Sequence, residues 1–303
     1  MANNEIMVTI WCLVYNHEKY LRDCLDGFVM QHTNFKFEAI VHDDCSTDTS
    51  RQIIQEYAEK YPQIIIPVYE DENQYSKHDG SLGRVLMSNT RGKYIAECEG
   101  DDYWTDSHKL QKQVDFMESH PDYSLCFHHT KIIYESLKGE YQFPIINNRE
   151  CKRVELYNQW IAHTSSNLYK KEVIESQIYQ KAKKLKTILC ADLVLTISAS
   201  YFGKIFGMPD TMSVYRRNTG GIMNTFEDRQ LELCRQFIDF DKVFKSDLHK
   251  SNKLAIGRCG VLGFSYMIHG KILKGLKIIL LAMRHAPIET VHLFFTYHGL
   301  HLK

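Results

Sequence analysis

The stretch Cys98-Glu-Gly-Asp-Asp-Tyr-Trp104 sets three carboxylates, Glu99, Asp101 and Asp102, directly after the apolar run Tyr94-Ile95-Ala96. Carboxylates that close repel one another, and removing them from water is costly unless a cation, a proton or a hydrogen-bond donor compensates. The plain reading is a solvated turn. The chemical reading is a site for a hard divalent cation, Mg2+ or Mn2+, which prefers oxygen ligands and shares them with substrate phosphates. A second acidic pair, Asp43-Asp44, follows another apolar run, Phe37–His42. Carboxylates at such a strand end can also accept hydrogen bonds from a base or a ribose.

Both clusters need strands to carry them. Met7–Tyr15 is almost wholly apolar, as a strand covered on both faces is. Asn16 or His17 can open a helix with Leu21, Cys24, Leu25, Phe28 and Val29 at helical spacing. Phe37–His42 reads as the next strand, and Ser46, Thr47 and Asp48 as caps for a helix through Ile53, Ile54, Tyr57 and Ala58 that Pro62 closes. Ile64–Tyr69 and Lys93–Cys98 are further strands, with a short helix around Arg84–Asn89 between them. Ser107 can cap a helix with Leu110, Val114 and Met117 facing inward. Alternating strands and helices imply a largely parallel three-layer α/β sheet, in which ligands bind at the carboxyl ends of strands. Both acidic clusters then share one rim. The middle is less regular, with strand signals at Tyr123–Tyr134 and Trp160–Tyr169 and helix over most of Lys171–Ser198. From Phe226 the pattern is helical.

The totals narrow the function classes. The 303 residues are 44% hydrophobic and 24% charged, ordinary for a globular protein. Lys+Arg and Asp+Glu both number 37, which argues against nucleic-acid binding through a strongly basic surface. Nine scattered cysteines with no CxxC spacing suit reduced thiols in a cytosolic protein and argue against a structural zinc. No signal peptide is visible, and no apolar stretch reaches the roughly 18 residues of a membrane span.

The ordered set VTIWCLVYN, FEAIVHDDCSTDTS, GKYIAECEGDDYW and the helix after it resembles the family 2 glycosyltransferases, which have the GT-A fold. The likeness covers about 120 residues closely and continues loosely to about residue 225. It implies a Rossmann-like α/β sandwich: residues 1–122 as the nucleotide-sugar half, 123–225 as the acceptor half and lid, and 226–303 as a helical C-terminal extension. It implies an inverting transfer from a UDP-sugar to a saccharide or lipid-linked saccharide, assisted by Mn2+ or Mg2+, in the cytoplasm of a bacterium and in assembly of a surface polysaccharide. Asp44 resembles the carboxylate that reads uracil, with Asp43 structural or ribose-directed and Val14, Tyr15 and Asn16 flanking the base. Asp101 and Asp102 resemble the metal motif, with Glu99 an alternative first position, and Asp101 counts also among the nucleotide-sugar contacts. Arg84 matches a nucleotide-contacting basic residue across a long loop. Asp192, in Cys190-Ala-Asp-Leu, stands where relatives carry the general base, and equally reads as a first-turn or N-cap aspartate stabilised by the helix dipole. His163 and Trp104 are acceptor-side candidates, though a lone histidine is more often structural. In MSVYRRNTGGIM, Arg216 or Arg217 would meet the diphosphate and Gly220-Gly221 would hinge a lid. Asn218 stands where relatives have a histidine.

One amphipathic stretch lies outside the resemblance. Lys271–His285 carries Ile272, Leu276, Ile279, Leu280 and Met283 on one face, with Lys271, Lys274, Lys277 and Arg284 around the rest. It can close a small helical bundle, the default reading, or lie on an anionic membrane surface.

Overall fold

The computed structural model describes residues 5–77, 79–135, 140–142, 148–158, 161–218, 229–244 and 248–301. The first part alternates as its periodicity requires: β1 (Ile6–Val14), α1 (Leu21–Val29), β2 (Lys36–Asp43), α2 (Ser50–Lys60), β3 (Ile65–Tyr69), α3 (Ser81–Asn89), β4 (Tyr94–Glu97), the two-residue β5 (Tyr103–Trp104) and α4 (Lys109–Ser119). There follow β6 (Tyr123–Tyr134), β7 (Glu140–Gln142), β8 (Arg149–Glu150), α5 (Arg153–Asn158), β9 (Leu168–Lys170), α6 (Glu172–Glu175), α7 (Gln177–Ala182), α8 (Ala191–Phe202) and β10 (Lys204–Arg217). The last helices are α9 (Gln230–Val243), α10 (His249–Ile268), α11 (Ile272–His285) and α12 (Pro287–His301).

One sheet takes the order β3-β2-β1-β4-β9-β6-β10-β5, with β7 on β6 and β8 on β10. Strands β3, β2, β1 and β4 are parallel neighbours. β9 runs antiparallel to both β4 and β6, and β10 runs parallel to β6. Six strands therefore point the same way, and the sheet is mostly parallel as the sequence pattern requires. The register Val14↔Asp43 brings the carboxyl ends of β1 and β2 level, and Trp11↔Glu97 sets the end of β4 beside them.

Helix faces follow the apolar spacing, but the starts differ from expectation. Leu21, Cys24, Leu25 and Phe28 are buried along α1. That helix opens at Leu21 rather than at Asn16 or His17, because the His17 carbonyl accepts from both Tyr20 and Leu21 N–H in a turn ahead of it. At α4 the Ser107 hydroxyl faces His108 Nδ1, and Asp106 Oδ1 accepts the His108 N–H at 2.7 Å instead. Of the strand expected over Trp160–Tyr169, Trp160 lies outside the described residues, and among the rest the strand is confined to Leu168–Lys170. Upstream, a 3-10 turn at Thr164–Ser166 forms because His163 Nδ1 accepts Ser165 N–H and Ser166 Oγ donates to the His163 carbonyl. Such local side-chain bonds compete with a strand ladder.

The chain divides into two units: Met1–Cys151 with Ile161–Val173 and Ala199–Asn218, and Lys152–Trp160 with Ile174–Ser198 and Thr219–Lys303. Segments from the middle of the chain join the helical unit because its contacts claim them. Tyr157 meets the rings of Phe237 and Phe240 at 5.6 and 6.3 Å, Thr187 Oγ1 donates to Asp239, and Gln236 Oε1 accepts Leu189 and Cys190 N–H.

Within the helical unit, Cys234, Ile256, Cys259, Ile278, Ala282 and Ala286 form a small core. α10 and α11 cross at Gly263 and Gly275, where a Cβ on Gly275 would lie 2.4 Å from the Gly263 carbonyl oxygen. That contact decides which face of α11 turns inward: Gly275, Ile278 and Ala282 are buried. Ile272, Leu276, Leu280 and Met283, four of the residues expected to close the bundle, are exposed. Among the described residues no helix is long and apolar enough to cross a membrane.

Candidate active site

The sheet rim is knitted by backbone bonds across the strand ends. Asp44 N–H donates to the Val14 carbonyl and Gly100 N–H to the Leu13 carbonyl, both at 2.9 Å. Gly100 has no room for a side chain: a Cβ there would meet His17 Nδ1 at 2.7 Å and Val14 Cγ2 at 3.0 Å. This close approach presses the acidic loop onto the end of β1. Asn16 and Cys45 are left-handed, at φ 57° and 66°. Asn16 Oδ1 accepts Thr47 N–H at 2.7 Å while its own N–H donates to Ser46 Oγ, so its side chain joins the two turns.

The acidic loop gathers what the sequence only lists. Ligand oxygens of Glu99, Asp101 and Asp102 lie within 4.8 Å of one another. Asp102 is buried, and Oδ1 accepts the Arg216 N–H at 2.9 Å because β5, which follows Asp102 directly, pairs with β10. Asp102 Oδ2 is buried with no hydrogen-bond partner among the described residues, 3.8 Å from His163 Nε2. Burial, then the neighbouring charges of Asp101, Cys98 and Glu99, hold the Asp102 carboxyl well above the ordinary range. A donor set made only of carboxylate oxygens, one of them buried and unsatisfied, fits a hard divalent cation. Glu99, Asp101 and Asp102 are the residues that would hold it.

The arginine expected at the diphosphate is engaged within this site. Arg216 Nη1 donates to the Asp101 carbonyl at 3.0 Å, Nη2 pairs with Asp23, and the guanidinium lies 4.2 Å from the Tyr103 ring centre. Arg217 lies against Tyr134, its cross-strand partner on β6. Asn218 Nδ2 donates to Asp101 Oδ2 at 2.9 Å, so the residue in the usual histidine position touches the acidic loop through an amide. Gly220 and Gly221 lie outside the described residues.

At the end of β2, Asp44 is buried, and its two oxygens accept the backbone N–H groups of Gln74 and Tyr75 at 2.6 and 3.0 Å. It thereby fixes the loop after β3. Asp43 is fully buried, with Oδ2 accepting from Arg51 Nε at 3.0 Å; Arg51 also reaches the Glu70 carbonyl. Val14 is buried and Tyr15 is 48% exposed, an aromatic face available at the rim. Arg84 is exposed and bonds the Asp79 carbonyl and carboxylate.

Two acceptor-side candidates turn inward. Trp104 is 2% exposed, donates from Nε1 to the Ser165 carbonyl, packs on Phe28, and lies under the Lys109 ammonium at 4.0 Å. It presents no surface to an acceptor, and the expectation is corrected: Trp104 is a packing residue. His163 is buried and stacked on Tyr215 at 4.3 Å, and burial lowers its pKa to about 3, so it stays neutral beside Asp102. Sequence reasoning missed His17, whose pKa burial lowers against the opposing pull of Asp101, and Lys109, whose pKa burial lowers to about 7. Nothing in their spacing marks either, since only the fold carries them beneath the loop.

Asp192 belongs to the helical unit. It occupies the first turn of α8, half-buried, with Oδ1 accepting Leu193 N–H at 2.8 Å. It lies one residue inside the helix, a first-turn rather than a cap position.

Comparison with known proteins gives the class. The profile described as Glycosyl transferase family 2 matches residues 9–177, more than half of the chain, and the chain belongs to that family. An uncharacterized protein of Mycobacterium tuberculosis is 36% identical over 225 residues, covering 74% of this chain. The chain spans 62% of the length of that relative. Among solved structures, Staphylococcus aureus TarS 1-349 in complex with UDP-GlcNAc superposes with a TM-score of 0.62 at 18% identity, over 86% of this chain and 73% of the other. The mannosyltransferase PcManGT from Pyrobaculum calidifontis, in complex with GDP-Man and Mn2+, superposes with a TM-score of 0.59 at 16% identity, over 96% and 88%. The fold is the GT-A type expected from the sequence, with added C-terminal helices.

Proposed function

We propose that the protein is a metal-dependent, inverting glycosyltransferase that moves a hexosyl or N-acetylhexosaminyl group from a UDP-sugar to a hydroxyl of a saccharide or lipid-linked saccharide. The observation that carries this is the cluster of Glu99, Asp101 and Asp102 at the strand-end rim of a family 2 chain, with a buried Asp102 oxygen left without a hydrogen-bond partner. The acceptor hydroxyl attacks the anomeric carbon as the bond to the UDP oxygen breaks, and the hydroxyl proton passes to Asp192 as general base. A bound Mn2+ or Mg2+ would supply charge stabilisation for the leaving diphosphate. Tyr15, Asn16 and Asp44 border the base, with Asp44 acting through the Gln74–Tyr75 backbone it already holds. Arg216 orients Asp101 and Asp102 and, with Arg217 and Arg84, stands for the diphosphate. The protein would act in the cytoplasm, in assembly of a bacterial surface polysaccharide.

The test is a panel of nucleotide sugars with and without Mn2+, read by thermal shift and by release of nucleoside diphosphate. Metal-dependent binding of a UDP-sugar with UDP release is expected; no metal-dependent binding of any donor would remove this reading. Asp192→Asn should keep donor binding and lower transfer by about 100-fold or more. Binding without turnover across donors and acceptors would favour a non-catalytic nucleotide-sugar-binding protein.

A further inference from the structure

α11 has two apolar faces, and only one of them is covered. At about 100° per residue, Gly275, Ile278 and Ala282 face α10, while Ile272, Leu273, Leu276, Leu280 and Met283 form a separate arc. That arc is solvent-exposed, Leu273 at 76% and Leu280 at 61%. Lys277 and Arg284, also exposed, line one edge of it. α12 carries a second outward stripe at helical spacing, Ile288, Val291 and Phe295, with Ile288 at 78% and Phe295 at 70%. An apolar arc of this extent is unusual on a soluble surface and marks a binding face.

Charge identifies the partner. From His249 to His301 the sequence has seven lysines and arginines against one acidic residue, Glu289, although the whole chain is balanced at 37 of each. An apolar stripe edged by cations complements a surface that is anionic and has an apolar interior within reach. We propose that α11, with α12, docks this protein onto the surface of an anionic lipid bilayer, the leucines entering the acyl boundary and Lys277 and Arg284 meeting lipid phosphates. The contact proposed is interfacial, made by the exposed faces of helices that are not long and apolar enough to cross a membrane. The docking stands independently of the donor chemistry proposed above, although it would bring the enzyme to a lipid-linked acceptor.

The test is co-sedimentation of the full chain with phosphatidylglycerol-containing and with pure phosphatidylcholine vesicles. Binding to the anionic vesicles, weakened by salt, is expected. Lys277→Ser/Arg284→Ser should lower it about tenfold or more, and Leu273→Ser/Leu280→Ser by a similar factor. Substitutions at these exposed positions should leave the circular dichroism spectrum and UDP-sugar thermal shift unchanged, which separates this proposal from the transferase reading. Absence of sedimentation, equal binding to neutral vesicles, or a dimer in light scattering that Leu273→Ser/Leu280→Ser dissociates would each overturn it, the last by assigning the face to a second copy of the chain.

Discussion

Asp102→Asn should make the metal-free protein more stable and the metal-loaded protein less so. In the native structure Asp102 Oδ2 is buried without a hydrogen-bond partner, and Asp101 and Glu99 add like charge. An unsatisfied buried polar atom costs about 1–3 kcal/mol, more when charged. Asparagine has the same shape, keeps an oxygen for the Arg216 N–H and brings an amide that can donate to its carboxylate neighbours. A gain of about 1–3 kcal/mol is expected in chelator, or roughly 1.5 °C in Tm per kcal/mol for a chain of this length. The sign with pH follows from the raised native pKa. The folded state holds the Asp102 proton above the ordinary value of 3.8, so it binds more protons than the unfolded chain in that window. The wild-type contribution is therefore complete below about pH 4 and is lost as pH rises through the folded pKa, and the advantage of the variant grows with pH. With Mn2+ at about 100 times its dissociation constant, the wild type should gain about 2.7 kcal/mol and the variant little. Melting curves from pH 4 to 8, in EDTA and in Mn2+, read both arms. A variant that melts below the wild type in EDTA, or that keeps the full Mn2+ response, refutes the assignment.

Other positions offer independent tests. Gly100→Ala forces the acidic loop off the end of β1, and overpacking there should cost about 1–3 kcal/mol and reduce Mn2+-dependent donor binding at least tenfold in calorimetry. Asp44→Ala removes two charge-assisted bonds to the Gln74–Tyr75 backbone and should destabilise by about 3 kcal/mol in urea titration, with faster amide exchange over 73–77. His128 is buried with its pKa held well below 6.5 by burial, so its contribution is present above pH 6.5 and falls by up to about 1.4 kcal/mol per pH unit as the unfolded chain protonates. His128→Phe should flatten the acid limb of a stability profile from pH 7 to 5; an unchanged slope would mean that His128 is already protonated in the native state.

Much of the first 120 residues was legible because the signals there are local. Apolar runs such as Met7–Tyr15 and helical spacings such as Leu21, Cys24, Leu25 and Phe28 depend on each element having one buried environment, and β1 and α1 bury those positions. Helix starts were less legible, because a turn carbonyl at His17 or a carboxylate at Asp106 decides them against several equally suited neighbours. Trp104 was misplaced for a related reason: an aromatic beside a metal motif reads as a ligand contact until the packing of Phe28 and Lys109 around it is known.

By itself the sequence determined the strand–helix alternation, the carboxylate positions at strand ends and the family, all carried by residue type and short spacing. Tertiary structure alone decided which carboxylate is buried, since the exposure of Asp102 depends on β5 pairing with β10 more than a hundred residues later in the chain. It alone turned Arg216 and Asn218 onto the acidic loop. It also decided which face of α11 packs into the helical unit. Periodicity there marks apolar arcs without saying which is inside, and the small residues at the Gly263–Gly275 crossing let backbones approach and leave the larger side chains facing out.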